Sequence, residues 1–369
     1  MSLSRPTPDS PDAVVEPPAL RRIDPSRVEL VVEPARRLEL QRMGGRVLDG
    51  DWDTPREDSF EDLATYRGLR ERIVEDRPWE ETDFYRRSVA LIDAGNPQWN
   101  CTTPEAFREA CAQFERLYHE IRGSGYRTQQ ELGTGRPDHE IRVGIRRDGR
   151  LLFITGRRRF CIARLLGLAG VPARVAVRHA RWEAFRRELL AEAAARGGRL
   201  PEPIDHPDLA ELPSERKEDW ERALTKALGG NDNSGRRLLD VGAGWGWRCR
   251  RLEDDGFACT AIEKDARSVR FAEAIRIATE RSFTVWEGDF RSFPAPQQAE
   301  VVLAPGAFRG QLEGGEADRG LREFLGRLDA EVMLVGLDSQ AEAEIMAGAT
   351  TMRSVEPLRE APGLYKLTR

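Results

Sequence analysis

Lysine is almost absent from this chain. There are four (Lys217, Lys226, Lys264, Lys366) among 58 lysines and arginines, a bias that reads as GC-rich coding rather than as a binding surface. Set against 63 acidic residues, these leave a formal net charge of −5. Sequence-independent grip on nucleic acid calls for a basic domain. The overall balance disfavours that class, and each arginine cluster has to be judged locally. Histidine is also scarce, with four scattered residues (His119, His139, His179, His206). The five cysteines (Cys101, Cys111, Cys161, Cys249, Cys259) contain no C-x-x-C pair. Zinc sites and disulfide frameworks depend on such spacings, so no metal site is expected and the cysteines read as small core hydrophobes. No apolar run reaches the roughly 18 to 20 residues that span a bilayer. The first residues lack a basic segment followed by an apolar one, so no secretory signal is expected and a cytoplasmic location follows.

What is present describes a globular α/β chain: 40% apolar and 33% charged residues over 369 positions. That length suits two domains of roughly 150 residues each. Residues 1–27 are proline-rich and acidic without periodicity, which predicts a disordered leader. The first domain is expected over 28–196. A connector is expected over 197–215, where four prolines fall, and the second domain over 216–369. Thr103-Pro104-Glu105 has the order of a helix start. Ile141–Ile145 and Leu151–Ile154, joined through Asp148-Gly149, predict a hairpin.

The most informative stretch is Leu238-Leu-Asp-Val-Gly-Ala-Gly-Trp-Gly-Trp247. An apolar strand ends in Asp240, and glycines follow at alternate positions, Gly242, Gly244 and Gly246. Ligands of doubly wound sheets bind beyond the carboxyl ends of the strands, where glycine lets them approach the backbone. The spacing is G-x-G-x-G rather than the dinucleotide G-x-G-x-x-G. An acid two residues before the first glycine suits a cationic ligand and repels a pyrophosphate; the bland alternative is a helix cap beside a tight turn. Glu263 ends the next strand, 23 residues after Asp240, where an acid can accept hydrogen bonds from ribose hydroxyls. Further strands are expected at Ser282–Trp286, Glu300–Leu303 and Val332–Val335, with a closing hairpin near 352–358 and 363–367.

This half resembles the class I S-adenosylmethionine-dependent methyltransferases over nearly all of residues 236–369. The resemblance implies S-adenosyl-L-methionine as cofactor. It implies Asp240, Gly242, Gly244 and Gly246 around the methionine portion, Glu263 on the ribose, Asp289 on the adenine amino group and Phe290 beside the ring. Family members that methylate base amino groups carry D/N-P-P-Y/F after the fourth strand. Here that position reads Leu303-Ala-Pro-Gly-Ala-Phe308, which disfavours adenine or cytosine amino methylation. Glu313 and Asp338 are candidate bases, each more readily read as a solvated loop residue. No catalytic residue is assigned.

In the first half, Ile141–Arg150, Gly156-Arg-Arg-Arg-Phe-Cys-Ile-Ala163, Leu166–Leu168 and Val177–Trp182 resemble the ParB/sulfiredoxin-like fold. The resemblance implies that Gly156, Arg157, Arg158 and Arg159 open a helix whose amides and guanidinium groups hold phosphate. A solvated arginine turn is the competing reading. Sulfiredoxin chemistry is rejected, because Cys161 lies past the arginines on the apolar helix. His179 is expected to be structural. Gly50–Asp53, Arg77–Thr82 and Tyr85 form a tryptophan-and-acid pattern read as packing.

The expectation is therefore a Rossmann-like seven-stranded SAM-methyltransferase domain preceded by a smaller ParB/sulfiredoxin-like α/β domain. The acceptor is expected to be a small molecule or carbohydrate-like, with a phosphate or nucleotide ligand at the arginine box. Nucleic acid is disfavoured, and no membrane span is expected. The alternative is a nucleotide- or nucleic-acid-binding protein with a non-catalytic SAM-binding domain.

Overall fold

The computed structural model describes residues 20–56, 59–134, 139–215, 218–228, 232–313 and 316–369. The chain divides into two compact units, Met1–Glu188 and Leu189–Arg369.

The first unit contains β1 (Leu20–Ile23), β2 (Leu30–Val31), α1 (Pro34–Leu40), β3 (Arg46–Leu48), α2 (Ala64–Ile73), α3 (Asp83–Asp93) and α4 (Pro104–Ser124). These lead into β4 (Ile141–Ile145), β5 (Leu151–Thr155), α5 (Arg157–Leu165), β6 (Val171–His179) and α6 (Ala180–Ala195), which runs across the division. One sheet runs β1-β6-β4-β5-β2, with β3 also paired to β6. The expected hairpin forms: Gly149, at φ +85°, takes the turn, and Arg146 N–H meets Arg150 O at 3.0 Å. The expected helix start at Thr103 also forms, its hydroxyl accepting from Ala106 N–H at 3.2 Å. The expected leader differs at its end. Residues 1–19 lie outside the described residues, but Leu20–Ile23 pairs antiparallel with β6 and Ile23 has no exposure. Its apolar ends supply an edge partner to β6, a pairing that composition does not reveal.

The second unit contains α7 (Glu218–Leu228), β7 (Arg237–Val241), α8 (Trp247–Glu253), β8 (Ala258–Glu263), α9 (Ala266–Ala278), β9 (Thr284–Glu287) and β10 (Val301–Ala304). A two-strand hairpin follows, β11 (Leu312–Glu313) and β12 (Glu316–Ala317), then α10 (Arg319–Gly326) and β13 (Val332–Gly336). The unit ends with α11 (Gln340–Gly348), β14 (Ser354–Pro357) and β15 (Leu364–Thr368). Seven strands form one sheet in the order β14-β15-β13-β10-β7-β8-β9. β15 is antiparallel to both neighbours, and the pairs from β13 to β9 are parallel. Helices on both faces make the inner strands continuously apolar, and every residue of β10 has no exposure. Apolar side chains pack on both sides of this sheet, one cluster around Val302, Met333 and Phe324, the other around Leu238, Leu303 and Leu334.

The expected connector, 197–215, is not an open linker. Leu200 and Ser214 are bridged, and Leu200, Ile204, His206, Asp208 and Leu209 are all buried. Its prolines shape a packed strap, because each removes a backbone donor that burial would otherwise leave to be satisfied.

Candidate functional site

In the second unit the chain runs from β7 outward to β8 and β9, then returns to β10 on the other side of β7. The order reverses between β7 and β10, and open α/β sheets bind ligands at such a reversal. The glycine turn is located there. Gly242, Gly244 and Gly246 have φ of +71°, +60° and +75°, values a side chain resists. A Cβ on Gly246 would also fall 2.8 Å from Phe283, and one on Gly242 would meet Ala307 Cβ of the β10 loop at 3.3 Å.

Asp240 is fully buried and forms an ion pair with Arg248, Nε to Oδ1 at 2.7 Å. Arg248 also donates from Nη2 to Gly242 O at 2.6 Å. Burial opposes the Arg248 charge, but Asp240 and Glu202 outweigh it and raise its pKa above the ordinary arginine value. Asp240 is thus neutralised from within rather than turned toward a ligand. Glu263, half-buried, accepts from Gly244 N–H through Oε2 and from the Lys264 and Asp265 N–H groups through Oε1, all at 2.9 Å. It ties the turn to the end of β8.

The residues expected at an adenine divide. Asp289 caps the turn that follows β9 and pairs with Arg291 at 2.9 Å. Phe290 instead lies in the core, edge-on to Phe308 and Phe324 at 5.3 and 5.1 Å. The β10 loop from Pro305 to Phe308 carries no acid or histidine. Asp338 is a solvated residue 3.9 Å from Arg309. The side chain of Glu313 lies outside the described residues.

Two contributors were missed by the sequence reading. Glu202, buried in the strap, accepts from Trp247 N–H at 3.1 Å, and a Cβ on Gly244 would fall 2.8 Å from its Oε1. Arg250 has no exposure and donates to Trp245 O and Pro203 O at 2.7 and 2.6 Å. Its pKa is lowered by burial. Neither stands out in the sequence, because their partners lie up to 47 residues away.

The carboxy-terminal unit has a Rossmann-like, doubly wound α/β fold. The chain matches no family model and no curated protein. Among solved structures it is similar to a SAM-dependent methyltransferase from Aquifex aeolicus: 16% identity, TM-score 0.31, covering 40% of this chain and 86% of that one. A Pyrococcus horikoshii protein gives 15% identity and TM-score 0.31, covering 41% and 88%. Phosphoethanolamine N-methyltransferase 2 of Haemonchus contortus, solved with phosphomonomethylethanolamine and S-adenosylhomocysteine, gives 16% identity and TM-score 0.31. That match covers 37% of this chain and 38% of the Haemonchus enzyme. At these values no residue role is carried over from any of them.

The first unit holds a cleft of about 1050 Å³. Arg42, Arg142, Arg157, Arg158, Arg159 and Arg174 line it, with Glu140 as the one acid among the described lining residues. Gly156 adopts φ +96° at the start of α5, its Cα so close to Ile141 that a Cβ would fall 2.8 Å from that backbone. The three arginines that follow lie over aromatic rings: Arg157 on Trp99, Arg158 on Phe114 and Arg159 on Tyr126, at 5.6 to 5.8 Å. Arg159 also pairs with buried Glu140 at 3.3 Å. Arg157 has no carboxylate partner among the described residues; burial lowers its pKa, and nearby Arg37 and Arg56 act in the same direction. Arg142 and Arg174 stand side by side across β4 and β6.

His179 is buried, with Nδ1 accepting from Arg181 N–H at 3.1 Å and Nε2 against Gly50 O at 3.0 Å. Both ring nitrogens are engaged in backbone contacts, a structural role. Beside it Trp52 stacks on the imidazole and buried Asp53 pairs with Arg147, so the Gly50–Asp53 pattern is packing. Among the described residues there is no cluster of three or more metal-ligating side chains, and no helix is long and apolar enough to cross a membrane.

Proposed function

We propose that the carboxy-terminal unit binds S-adenosyl-L-methionine and transfers its methyl group to a small-molecule or carbohydrate-like acceptor. The amino-terminal unit is read as a ParB/sulfiredoxin-like domain whose arginine cleft recognises phosphate. One observation carries the cofactor reading: the glycine turn stands at the strand-order reversal, with Glu263 at the end of the neighbouring strand. The ribose end of the cofactor fits the residues present. A carboxylate offers about four lone-pair sites, and Glu263 has three N–H donors, which leaves capacity for a hydroxyl. Asp240 does not fit its expected part, since Arg248 already holds it; the acid lying against the turn is Glu202.

When bound, the cofactor supplies an electrophilic methyl group on a sulfonium. The chain's own contribution is alignment, because the β10 loop brings no proton acceptor. The cleft reading rests on its excess of arginines over the one acid among the described lining residues.

A second reading, a SAM-binding domain without catalysis, draws on Arg248 occupying both Asp240 and Gly242 O. The first test is calorimetric titration of S-adenosylhomocysteine into wild type and Glu263→Gln. Wild-type binding, weakened about tenfold in the variant by loss of one charge-assisted hydrogen bond, is the expected result. Absence of binding by a folded wild type defeats both readings. If binding holds, turnover with phosphorylated acceptors separates enzyme from sensor.

A further inference from the structure

The β10 loop is held on three sides. Ala307 lies against the glycine turn, where a Cβ on Gly242 would meet its own Cβ at 3.3 Å. Phe308 has no exposure and packs on Phe290 and Phe324. Pro305 O abuts the end of β13 so closely that Gly336 has no room for a Cβ. The loop is therefore a fixed platform between the glycine turn and β13, and the residue after Phe308 starts from a fixed point.

That residue is Arg309. Its guanidinium reaches the turn between β14 and β15, where a Cβ on Gly363 would fall 3.3 Å from Nη2. Gly363 O in turn accepts from Leu337 N–H at 2.9 Å, just past β13. The guanidinium thus stands at the carboxyl ends of β10 and β13. The arginines that follow the neighbouring strands are spent on protein oxygens. Arg248 holds Asp240 and Gly242 O, Arg250 holds Trp245 O and Pro203 O, and Arg291 holds Asp289 and Asp318. Arg309 donates no hydrogen bond among the described residues. Its carboxylate neighbour there is Asp338, with 3.9 Å between Nε and Oδ1, beyond hydrogen-bond reach, and half of its side chain is exposed.

A guanidinium presents its donors as a fork that matches a carboxylate, and this fork is open. With the cofactor read across the glycine turn and Glu263, over β7 and β8, the strand-order reversal leaves the ends of β10 and β13 for the acceptor. We propose that Arg309 binds a carboxylate group of the methyl acceptor, which makes the acceptor a small organic acid. This rests on the reading of the unit as a methyltransferase. Asp338 decides between a carboxylate and a more highly charged anion: one cation beside an acid suits a monoanion, whereas a dianion meets repulsion. Its own exposed contact with Arg309 contributes little and is readily given up. The fixed loop then holds the bound acid in register with the glycine turn.

The test saturates the full chain with S-adenosylhomocysteine and titrates glycolate and 4-hydroxybenzoate, each against its own amide, into wild type, Arg309→Gln and Arg309→Lys. At least one acid is expected to bind wild type roughly tenfold more tightly than its amide. Arg309→Gln should remove that preference. Arg309→Lys should keep part of it, since the charge stays and the fork is lost. Melting temperature and S-adenosylhomocysteine affinity of both variants should match wild type, because no hydrogen bond among the described residues depends on Arg309. Equal binding of acid and amide, or binding of neither acid, by the saturated protein overturns the assignment. So does an acid preference that survives in Arg309→Gln, or a matching loss of S-adenosylhomocysteine affinity in that variant. Tighter binding of hydroxymethylphosphonate than of glycolate, lost in Arg309→Gln, rules out the carboxylate in favour of a dianion. If wild type binds no S-adenosylhomocysteine at all, the methyltransferase reading fails and this assignment falls with it.

Discussion

Arg250→Ala is expected to destabilise the carboxy-terminal unit by about 3–5 kcal/mol, lowering its melting temperature by roughly 10 °C. The side chain has no exposure, and its guanidinium joins two carbonyls, Trp245 O of the glycine turn and Pro203 O of the strap. Truncation leaves both acceptors buried without a donor and opens a cavity at the start of α8. Arg250→Met fills most of that volume but supplies no donor, so an intermediate loss is expected. Arg319, mostly exposed and paired with Glu323 on the next helical turn, is the control, and its alanine substitution is expected to leave the melting temperature almost unchanged. Thermal and urea denaturation of the three variants measure this. An Arg250→Ala loss as small as the control's would show that strap and turn are held by something else.

The second large effect concerns Asp240 and Arg248. Asp240→Ala leaves a buried guanidinium without its counter-ion, at a cost of about 3–5 kcal/mol. The double variant Asp240→Leu/Arg248→Met removes both charges and should recover more than half of that loss, since a well-packed apolar pair often replaces a buried ion pair at little cost. Unfolding free energies of Asp240→Leu, Arg248→Met and the double variant, which together close the cycle, are the measurement. A double variant no more stable than Asp240→Ala would mean that Asp240 is held by partners other than Arg248. The result bears on function, because Arg248 also fixes Gly242 O at the mouth of the strand-order reversal. Loss of the pair is expected to disorder the turn and to weaken S-adenosylhomocysteine binding indirectly.

The strands of the second unit were legible because their signals are local. Apolar runs such as Val301–Leu303 mark strands covered on both faces, and Gly242, Gly244 and Gly246 mark a backbone that only glycine adopts easily. The hairpin at Asp148-Gly149 and the helix start at Thr103 were legible for the same reason: one turn residue or one capping hydroxyl sets the local geometry. The packing of Phe290 on Phe308 and Phe324 was not legible, because a strand-end aromatic looks the same in sequence whatever it packs against. Residues 197–215 were misread because proline density marks irregular backbone without saying whether that backbone is packed.

By itself, then, the sequence determined the element types, the glycine turn and the arginine-rich start of α5, each a matter of φ, period and composition within a few residues. Only the tertiary structure decided which charges are spent internally: Asp240 on Arg248, Glu202 on Trp247 N–H, Arg159 on Glu140. The same holds for Trp99, brought beside Arg157 from another segment. Side-chain pairing depends on which distant segments the fold packs together, and burial then makes each pairing decisive, because an unpaired charge or donor away from water is costly.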